Sequence, residues 1–217
     1  MLPECIQQSR LIVLLDRRRS EDADRDARLG VLVPVLEVMV QEGLRTFGLD
    51  SGDLDVFAEV REIFDERADF GLYNVDDHDR MARMVEQRPA FILLNNDDPD
   101  LVWHGQGQGI ATLPAALTPN EIGRAAKLGA PAVQVMPADL FGSSFPDQLN
   151  QVLPGVVTIP RGGLGGWAIG RWFEAGAQAC IADTNLIGDS LNGGNLSHLR
   201  DRARSFRDVI PSAEAGE

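Results

Sequence analysis

The feature that most constrains this chain is a regular alternation of short apolar runs with segments of helical spacing. The helical segments cover residues 33–41, 53–67, 77–87, 99–104, 119–128, 145–152, 167–175 and 195–209. The eight apolar runs, each short enough to be a buried strand, cover residues 10–16, 45–50, 69–75, 90–95, 109–113, 130–139, 156–160 and 179–183. Eight β/α units in 217 residues predict a single (β/α)8 (TIM) barrel, with a doubly wound open sheet as the alternative.

The remaining segments refine this prediction. We expect one domain over residues 1–210 and a disordered tail over 211–217. Residues 17–28 are dense in charge and predict a solvated loop or frayed helix, or alternatively a flap over the site. Pro34 is compatible with a helix in its first turn only. Thr118 and Glu121 have the spacing of a capping box.

Composition excludes several classes of function. With 33 acidic against 20 basic residues the net charge is −13, which argues against nucleic acids and anionic membrane surfaces as partners. No apolar run approaches the roughly 20 residues of a membrane helix. Two cysteines, Cys5 and Cys180, suggest no disulfide framework, so we expect a cytoplasmic protein.

Polar residues at the carboxyl ends of the strands are the candidate site, because the chemistry of such barrels is placed there. Many of these residues are also good helix caps, so that interpretation stays open for the aspartates. The candidate ligand-binding residues are Arg17, Asp50, Asn74, Asn95, Gln134, Arg161, Gly162, Gly163, Asp183 and Thr184.

Arg161 stands between a buried strand and a Gly-Gly turn. A guanidinium there has the fork geometry to bind a carboxylate or phosphate, and the glycines let backbone N–H groups approach an anion. An ion pair with a neighbouring strand-end aspartate, such as Asp183, is an equally good explanation. We expect no cofactor and no metal, although a divalent cation at Asp16, Asp50 or Asp183 is possible.

Gln134 is the only polar side chain in the run VQVM. A buried glutamine is either a core amide with satisfied hydrogen bonds or a residue directed into a site, and its type alone favours the first.

Five segments, in this order, resemble the 2-keto-3-deoxy-6-phosphogluconate / 4-hydroxy-2-oxoglutarate aldolase family of class I aldolases. They are QEGLRTFGLD, LPAALTPNE, VQVMPAD, IPRGGL and CIADTNLIG. The resemblance implies a (β/α)8 barrel, a homotrimer and a small anionic oxo acid or sugar acid as ligand. Trp103, Trp167 and Trp172 are candidates for the trimer interface, and buried packing between helix and barrel explains them equally well.

The resemblance also shows where this chain departs from the family. The position of the lysine that forms the Schiff base is Gln134, and the position of the proton-transferring glutamate is Gly48. An amide cannot form an iminium, so Schiff-base chemistry is not expected. The family's threonine before Gly-Gly is Arg161, and its last Gly-Gly-Ser is Ala182–Asp183–Thr184, which disfavours phosphate.

Three hypotheses follow from these departures. The first is an aldolase-like enzyme with altered chemistry, which uses a metal or an amide-polarised carbonyl with Gln134 and Asn74 as donors. The second is a catalytically inactive barrel that binds a metabolite or acts as a scaffold. The third is a lysine aldolase with a different alignment, for which Lys127 is the only lysine in the chain.

Overall fold

A computed structural model of the chain describes residues 1–15 and 24–211. Asp16, Arg17 and the expected tail from 212 therefore lie outside the described residues. The helices of the described part are Glu4–Ser9 (α1), Arg25–Gln41 (α2), Leu54–Phe64 (α3), His78–Glu86 (α4), Pro99–Gly107 (α5), Pro119–Ala126 (α6), Phe145–Val152 (α7), Gly166–Glu174 (α8), Thr184–Ile187 (α9) and Leu196–Arg207 (α10). None of its helices is long and apolar enough to cross a membrane.

A strand forms within each of the eight predicted runs, and a further strand of two residues, which was not predicted, follows the fifth. The strands are Leu11–Leu15 (β1), Thr46–Asp50 (β2), Asp69–Val75 (β3), Phe91–Leu94 (β4), Ala111–Leu113 (β5), Ala115–Ala116 (β6), Val133–Val135 (β7), Thr158–Pro160 (β8) and Cys180–Ala182 (β9). Pro114 separates β5 from β6, because proline has no N–H to donate to the ladder.

The strands form two parallel sheets. A curled six-stranded sheet has the order β5-β4-β3-β2-β1-β9 and makes a half-barrel, and a three-stranded sheet has the order β6-β7-β8. Within the six-stranded sheet the order follows the chain, with the last strand beside the first. A parallel bridge between Arg161 and Ile181 connects the end of β8 to β9.

Alternation along the strands separates two apolar clusters. One face packs against the surrounding helices and includes Val13, Phe47 and Leu72. The other face forms an inner cluster, which includes Ile12, Leu14, Tyr73, Phe91, Leu93, Leu113, Ala132, Ile159, Ala179 and Ile181. Because side chains alternate with a period of two, the next inward position on each strand lies at its carboxyl end.

Helix α1 closes the opposite end of this inner cluster. Its residue Ile6 is fully buried there together with Leu2. Sequence reasoning did not predict this helix, because six residues are too short to show helical periodicity.

The second helix differs from the prediction. It begins at Arg25, so of the two alternatives for residues 17–28 the helix is correct over 25–28, while residues 17–23 lie outside the described residues. Pro34 lies in the interior of the helix, so the expectation of a proline in the first turn is wrong. Arg28 pairs with Asp53 and with Asp55, and these ion pairs hold the first turns of the helix against the start of α3. The capping box of α6 is confirmed, since Thr118 and Glu121 each accept from the other's backbone N–H.

The end of α2 meets the last helix in a group of ion pairs that we name the Glu42 clasp. The Glu42 carboxylate accepts from Arg200 Nη1 at 2.6 Å and from Arg204 Nε at 2.8 Å. Arg207 Nη1 donates to the Glu42 carbonyl at 3.1 Å. Hydrogen bonds from Arg204 and Arg200 lower the pKa of Glu42 below its ordinary 4.5, despite its burial. The clasp fastens α10 to α2.

Candidate functional site

Polar residues occupy the inward positions just beyond the inner cluster. Because inward and outward side chains alternate along a strand, the residue two positions after an inward one also points inward. Asn95, Gln134, Arg161 and Asp183 each stand two positions after a member of the inner cluster, namely Leu93, Ala132, Ile159 and Ile181. Asp50 stands two positions after Gly48. We name these five residues the polar layer: Asp50, Asn95, Gln134, Arg161 and Asp183. Residues far apart in the chain thus meet at the carboxyl ends of the strands.

Gln134 is fully buried and its amide is hydrogen-bonded on both sides. Nε2 donates to the carbonyls of Leu94 at 2.9 Å and Leu113 at 2.7 Å, and Oε1 accepts from Arg161 Nη1 at 3.1 Å. The interpretation of Gln134 as a core amide with satisfied hydrogen bonds is therefore correct, and the same amide also contacts Arg161. The amide spans the gap between the ends of β4 and β5 and the end of β8.

Arg161 is buried, and among the described residues an amide and an aromatic ring contact its guanidinium. Besides the bond to Gln134, Cζ lies 5.3 Å from the centroid of the Tyr73 ring, a cation–π distance. Among residues 1–15 and 24–211, no ion pair joins Arg161 to Asp183, so the explanation by that pair is not supported. The guanidinium is held in one orientation by an amide and an aromatic ring.

Gly48, which is predicted to stand at the position of the family's glutamate, leaves space that other side chains fill. A Cβ built there would lie 2.7 Å from Leu14 Cδ2 and 3.4 Å from Tyr73 Cδ1. Tyr73 itself is 4% exposed. The absence of a side chain at Gly48 therefore lets Tyr73 pack beneath Arg161.

Sequence reasoning missed Tyr73 as a site residue. The signal available was the strand DFGLYNV, whose alternation with Gly71 directs Tyr73 inward. Which cation its ring faces could not be read from β3 alone, because Arg161 lies 88 positions later, on another strand.

A hydrogen-bonded row crosses the ends of β2, β3 and β4. Asn74 Nδ2 donates to Asp50 Oδ2 at 2.7 Å, and Asn95 Nδ2 donates to Asn74 Oδ1 at 2.5 Å. Asp50 Oδ1 accepts from the backbone N–H of Gly52 at 2.7 Å, which caps the short helix that follows β2. Asp50 is therefore both a helix cap and the first member of the row.

The Asp139 carboxylate lies close to the Gly162–Gly163 turn. Both glycines have positive φ, at 101° and 65°. A Cβ built on Gly163 would lie 1.9 Å from Asp139 Oδ2, so the Asp139 carboxylate lies against this glycine. The Gly163 carbonyl accepts from Asn185 Nδ2 at 2.6 Å. Thr184 is exposed and Asp183 half-buried beside the turn.

Among the described residues, the candidate metal ligands do not form a cluster. No group of three or more His, Cys, Asp or Glu that could hold a metal ion occurs among residues 1–15 and 24–211. Asp16 and Arg17, which were candidates, lie outside those ranges. Lys127 is exposed at the carboxyl end of α6, and a helix that follows a strand ends at the opposite edge of the sheet.

The tryptophans have different environments. Trp172 is 4% exposed and packs in the core, so for this residue the packing explanation is correct. Trp167 is 72% exposed and Trp103 54%. Trp167 lies with Phe141 on a cavity of about 270 Å³ between the start of α7 and α8.

Comparison with known proteins agrees with this geometry. The family model "KDPG and KHG aldolase" matches residues 25–201. A 2-dehydro-3-deoxy-phosphogluconate aldolase of Treponema pallidum is 24% identical over 164 residues, which are 74% of each chain.

Solved structures show the same fold. The 2-keto-3-deoxy-6-phospho-gluconate aldolase of Zymomonas mobilis superposes with a TM-score of 0.80 at 15% identity, over 98% of both chains. A KDPG aldolase of Legionella pneumophila, solved with pyruvate as a covalent carbinolamine, has a TM-score of 0.77 at 15% identity, over 95% of this chain and 98% of that one. The chain therefore belongs to the KDPG and KHG aldolase family.

Proposed function

We propose that this protein binds a small 2-oxo acid or sugar acid at the polar layer without forming a Schiff base, the ligand's carboxylate being held by Arg161. The observation that carries the proposal is the environment of Gln134. This residue stands at the family's lysine position, it is fully buried, and its amide is hydrogen-bonded to Leu94, Leu113 and Arg161. An amide so engaged has neither the basicity nor the freedom to attack a carbonyl carbon.

The polar layer suits a carboxylate. A guanidinium forms two parallel hydrogen bonds to a carboxylate, and Gln134 and Tyr73 fix its plane in advance, which lowers the entropy lost on binding. The low dielectric of a buried site strengthens such a bond. Binding of pyruvate, which has a carboxylate and an oxo group, is the simplest expectation.

A phosphorylated ligand fits less well. The Gly162–Gly163 turn has the Asp139 carboxylate against it and Asp183 next to it in the polar layer. Two carboxylates near a phosphate raise the free energy of binding by like-charge repulsion. We therefore expect the acid without its phosphate to bind better than the phosphorylated acid.

A second candidate function is that of a catalytically inactive aldolase-fold binding protein. The observation favouring it is Gly48, which has no proton-transferring side chain of its own and whose adjoining space is taken by Leu14 and Tyr73. Loss of both the amine and the base removes the two groups on which cleavage relies in this family.

The proposal includes closure of the two sheets into one (β/α)8 barrel. Three contacts support it: the chain runs directly from β5 through Pro114 into β6, the Ala115 N–H donates to the Asn96 carbonyl at 2.9 Å, and Arg161 bridges to Ile181. Together they connect both edges of the three-stranded sheet to the six-stranded one.

We also propose a homotrimer in the cytoplasm. The exposed side chains of Leu140, Phe141 and Trp167 form an apolar surface suited to burial between subunits. Both cysteines carry free thiols, as expected in a reducing compartment. Light scattering on the purified protein measures the subunit number.

Borohydride trapping tests the central claim. The protein is incubated with pyruvate and sodium borohydride, and the intact mass is measured. We expect no adduct, because no amine stands at position 134. A stable adduct at Lys127 or elsewhere would overturn the claim and favour a lysine aldolase with a different alignment.

Binding measurements test the role of Arg161. Calorimetric titration with pyruvate should show that Arg161→Met, which keeps the contact with Tyr73, weakens affinity by about 10- to 100-fold, the loss of a charge-assisted pair. Arg171→Met on the exposed face of α8 is the matched control. Equal affinity for the wild type and Arg161→Met would refute the carboxylate assignment. Pyruvate release is measured from 2-keto-3-deoxy-6-phosphogluconate and from 4-hydroxy-2-oxoglutarate, with and without a chelator. Release would identify an active enzyme, and no release from either compound would favour the inactive alternative.

A further inference from the structure

A cavity of about 330 Å³ lies at the amino ends of β1, β2 and β3, between α1 and the end of α10. We name it the basal cavity and define it by Cys5 of α1, Leu44 and Arg45 before β2, Asp69 at the start of β3, and Ile210 after α10. Its volume is within the range of small-molecule pockets, about 300–1,000 Å³. The polar layer lies at the carboxyl ends of the strands, so the basal cavity is a separate place in the molecule.

One wall of the basal cavity is aliphatic. Leu11 and Leu44 are buried and Ile210 is half-buried, and all three line it. Among the described residues, the lining includes no aromatic side chain. A branched aliphatic group of a ligand would therefore be removed from water against this wall, which favours binding.

Asp69 supplies a negative charge to the cavity. It is paired in register with Thr46, whose Oγ1 donates to the Cys5 carbonyl at 3.2 Å, so this face of β2 and β3 is directed toward α1. Desolvation and the Glu4 carboxylate raise the pKa of the Asp69 carboxyl. Within residues 1–15 and 24–211, no hydrogen bond or ion pair to the Asp69 carboxylate is formed.

Arg45 supplies a positive charge to the same cavity. Its Nη1 donates to the Arg67 carbonyl at 3.0 Å, and in the described part of the chain no carboxylate lies at ion-pair distance from it. The Asp69 N–H donates to the Arg45 carbonyl at 2.7 Å, so the two main chains touch although the two charged groups do not pair. Arg207, which also lines the cavity, is already opposed by Asp208 at 2.9 Å.

This combination of groups matches an amphoteric molecule. An ammonium group would compensate the charge of Asp69, and a carboxylate would compensate that of Arg45 through two hydrogen bonds to the guanidinium. A ligand with one of these charges would leave the opposite group in the cavity uncompensated. An α-amino acid carries both charges on one small molecule, and its side chain can meet the aliphatic wall.

We infer that the basal cavity is a second binding site, which takes an α-amino acid with an aliphatic side chain, Asp69 binding its ammonium group and Arg45 its carboxylate. The inference does not rest on the proposed function, because none of these residues belongs to the polar layer. The ligand contacts both α1 and the segment after α10. It should therefore raise the melting temperature as its concentration increases.

The first experiment compares ligands that share one aliphatic group. L-leucine has both charges, 3-methylbutylamine is leucine without its carboxylate, and 4-methylpentanoate is leucine without its amine. Calorimetric titration should show that leucine binds at least about tenfold more tightly than either analogue. Glycine, which keeps both charges and lacks the side chain, should also bind more weakly than leucine.

Two variants identify which charge binds which end of the ligand. Asp69→Asn and Arg45→Gln should each weaken leucine binding by about five- to tenfold, the loss of a partly exposed charged pair. Asp69→Asn should leave 4-methylpentanoate unaffected, and Arg45→Gln should leave 3-methylbutylamine unaffected. Asp100→Asn on α5 and Arg83→Gln on α4 are the matched controls at exposed positions. Thermal unfolding without ligand verifies the fold of each variant.

Alkylation of Cys5 locates the ligand. Cys5 is half-buried and lines the cavity, whereas Cys180 is fully buried. Burial and the Asp69 carboxylate raise the pKa of the Cys5 thiol to about 11, so the reaction with iodoacetamide is slow enough to follow by intact mass. Saturating leucine should slow it severalfold.

Four results overturn the inference. They are absence of leucine binding to the wild type, equal affinity for leucine and both analogues, leucine affinity unchanged in both variants, and leucine binding that leaves alkylation of Cys5 unchanged. Displacement of leucine by pyruvate would place it at the polar layer and overturn the inference as well. Pyruvate binding by itself tests only the proposed function, so the two can fail separately.

Discussion

Two buried charged groups in this molecule, the Glu42 carboxylate and the Arg161 guanidinium, contact different kinds of partner. In the Glu42 clasp a buried carboxylate meets three arginines that are one-third to one-half exposed. In the polar layer a buried arginine meets a neutral amide and an aromatic ring. The clasp joins two helices and matches charge with charge. In the polar layer, among the described residues, an amide and an aromatic ring contact the cation at the carboxyl ends of the strands.

This difference indicates which contacts only stabilise the fold and which also position a residue proposed to bind the ligand. Breaking a charge-matched helix contact should change unfolding alone, because nothing else depends on it. Breaking the support of a positioned arginine should change binding as well as unfolding. Three substitutions test this distinction, in order of decreasing effect.

The largest effect is expected for Gln134→Leu. The change leaves the buried carbonyls of Leu94 and Leu113 without their side-chain donor, and each unsatisfied group costs about 1–3 kcal/mol. We expect the free energy of unfolding to fall by about 2–4 kcal/mol and pyruvate affinity to weaken, because Arg161 loses its partner. Urea denaturation and calorimetric titration measure the two quantities.

The control is Gln148→Leu on α7, where an exposed amide bonds to Ser144 and should shift stability by less than about 0.5 kcal/mol. Stability of Gln134→Leu equal to that of the wild type would mean that the amide does not hold the strand ends together.

An intermediate effect is expected for Gly48→Ala. The new methyl would lie 2.7 Å from Leu14 Cδ2, an overpacking that costs about 1–3 kcal/mol. Displacement of Tyr73 should also weaken pyruvate binding through Arg161. Thermal and urea unfolding, with pyruvate titration, measure both effects.

Gly30→Ala in α2 is the matched control for that change. A Cβ there has nothing within 4 Å, so the alanine should be neutral or stabilise the helix by up to about 1 kcal/mol. If Gly48→Ala lowered stability without touching affinity, Tyr73 would not be part of the binding arrangement.

The smallest effect, and one confined to stability, is expected for Glu42→Gln. At neutral pH the variant should melt a few degrees lower, with pyruvate affinity unchanged. Because the pKa of Glu42 is lowered in the folded state, its contribution is complete above the ordinary value of 4.5 and is lost as the pH falls through the folded pKa. The gap in melting temperature between wild type and variant should therefore close on acidification below about pH 4.5.

Thermal scans between neutral pH and pH 3 test this dependence. Glu86→Gln, at an exposed position of α4, serves as the control. A gap that stayed constant down to the lowest pH would show that the clasp does not act through the charge of Glu42.

Much of the architecture was predictable because its signals are local. Alternating apolar runs predicted all eight strands, and Thr118 with Glu121 predicted the start of α6, since a capping box joins residues three apart. The interior position of Pro34 was not predictable, because the ion pairs of Arg28 that hold the helix come from α3. The trimer and the ligand class stay predictions.

The sequence by itself predicted that Gln134 and Gly48 stand at the positions of the family's amine and carboxylate, and it directed attention to Arg161. Only the tertiary structure decided that Gln134 holds Arg161, that Tyr73 fills the space beside Gly48, and that Asp50 is linked to Asn95 through Asn74. Each of these contacts joins residues at least 21 positions apart, on different strands. Periodicity and capping signals depend on neighbours within a few residues, whereas the curling of the six-stranded sheet brings distant strand ends together.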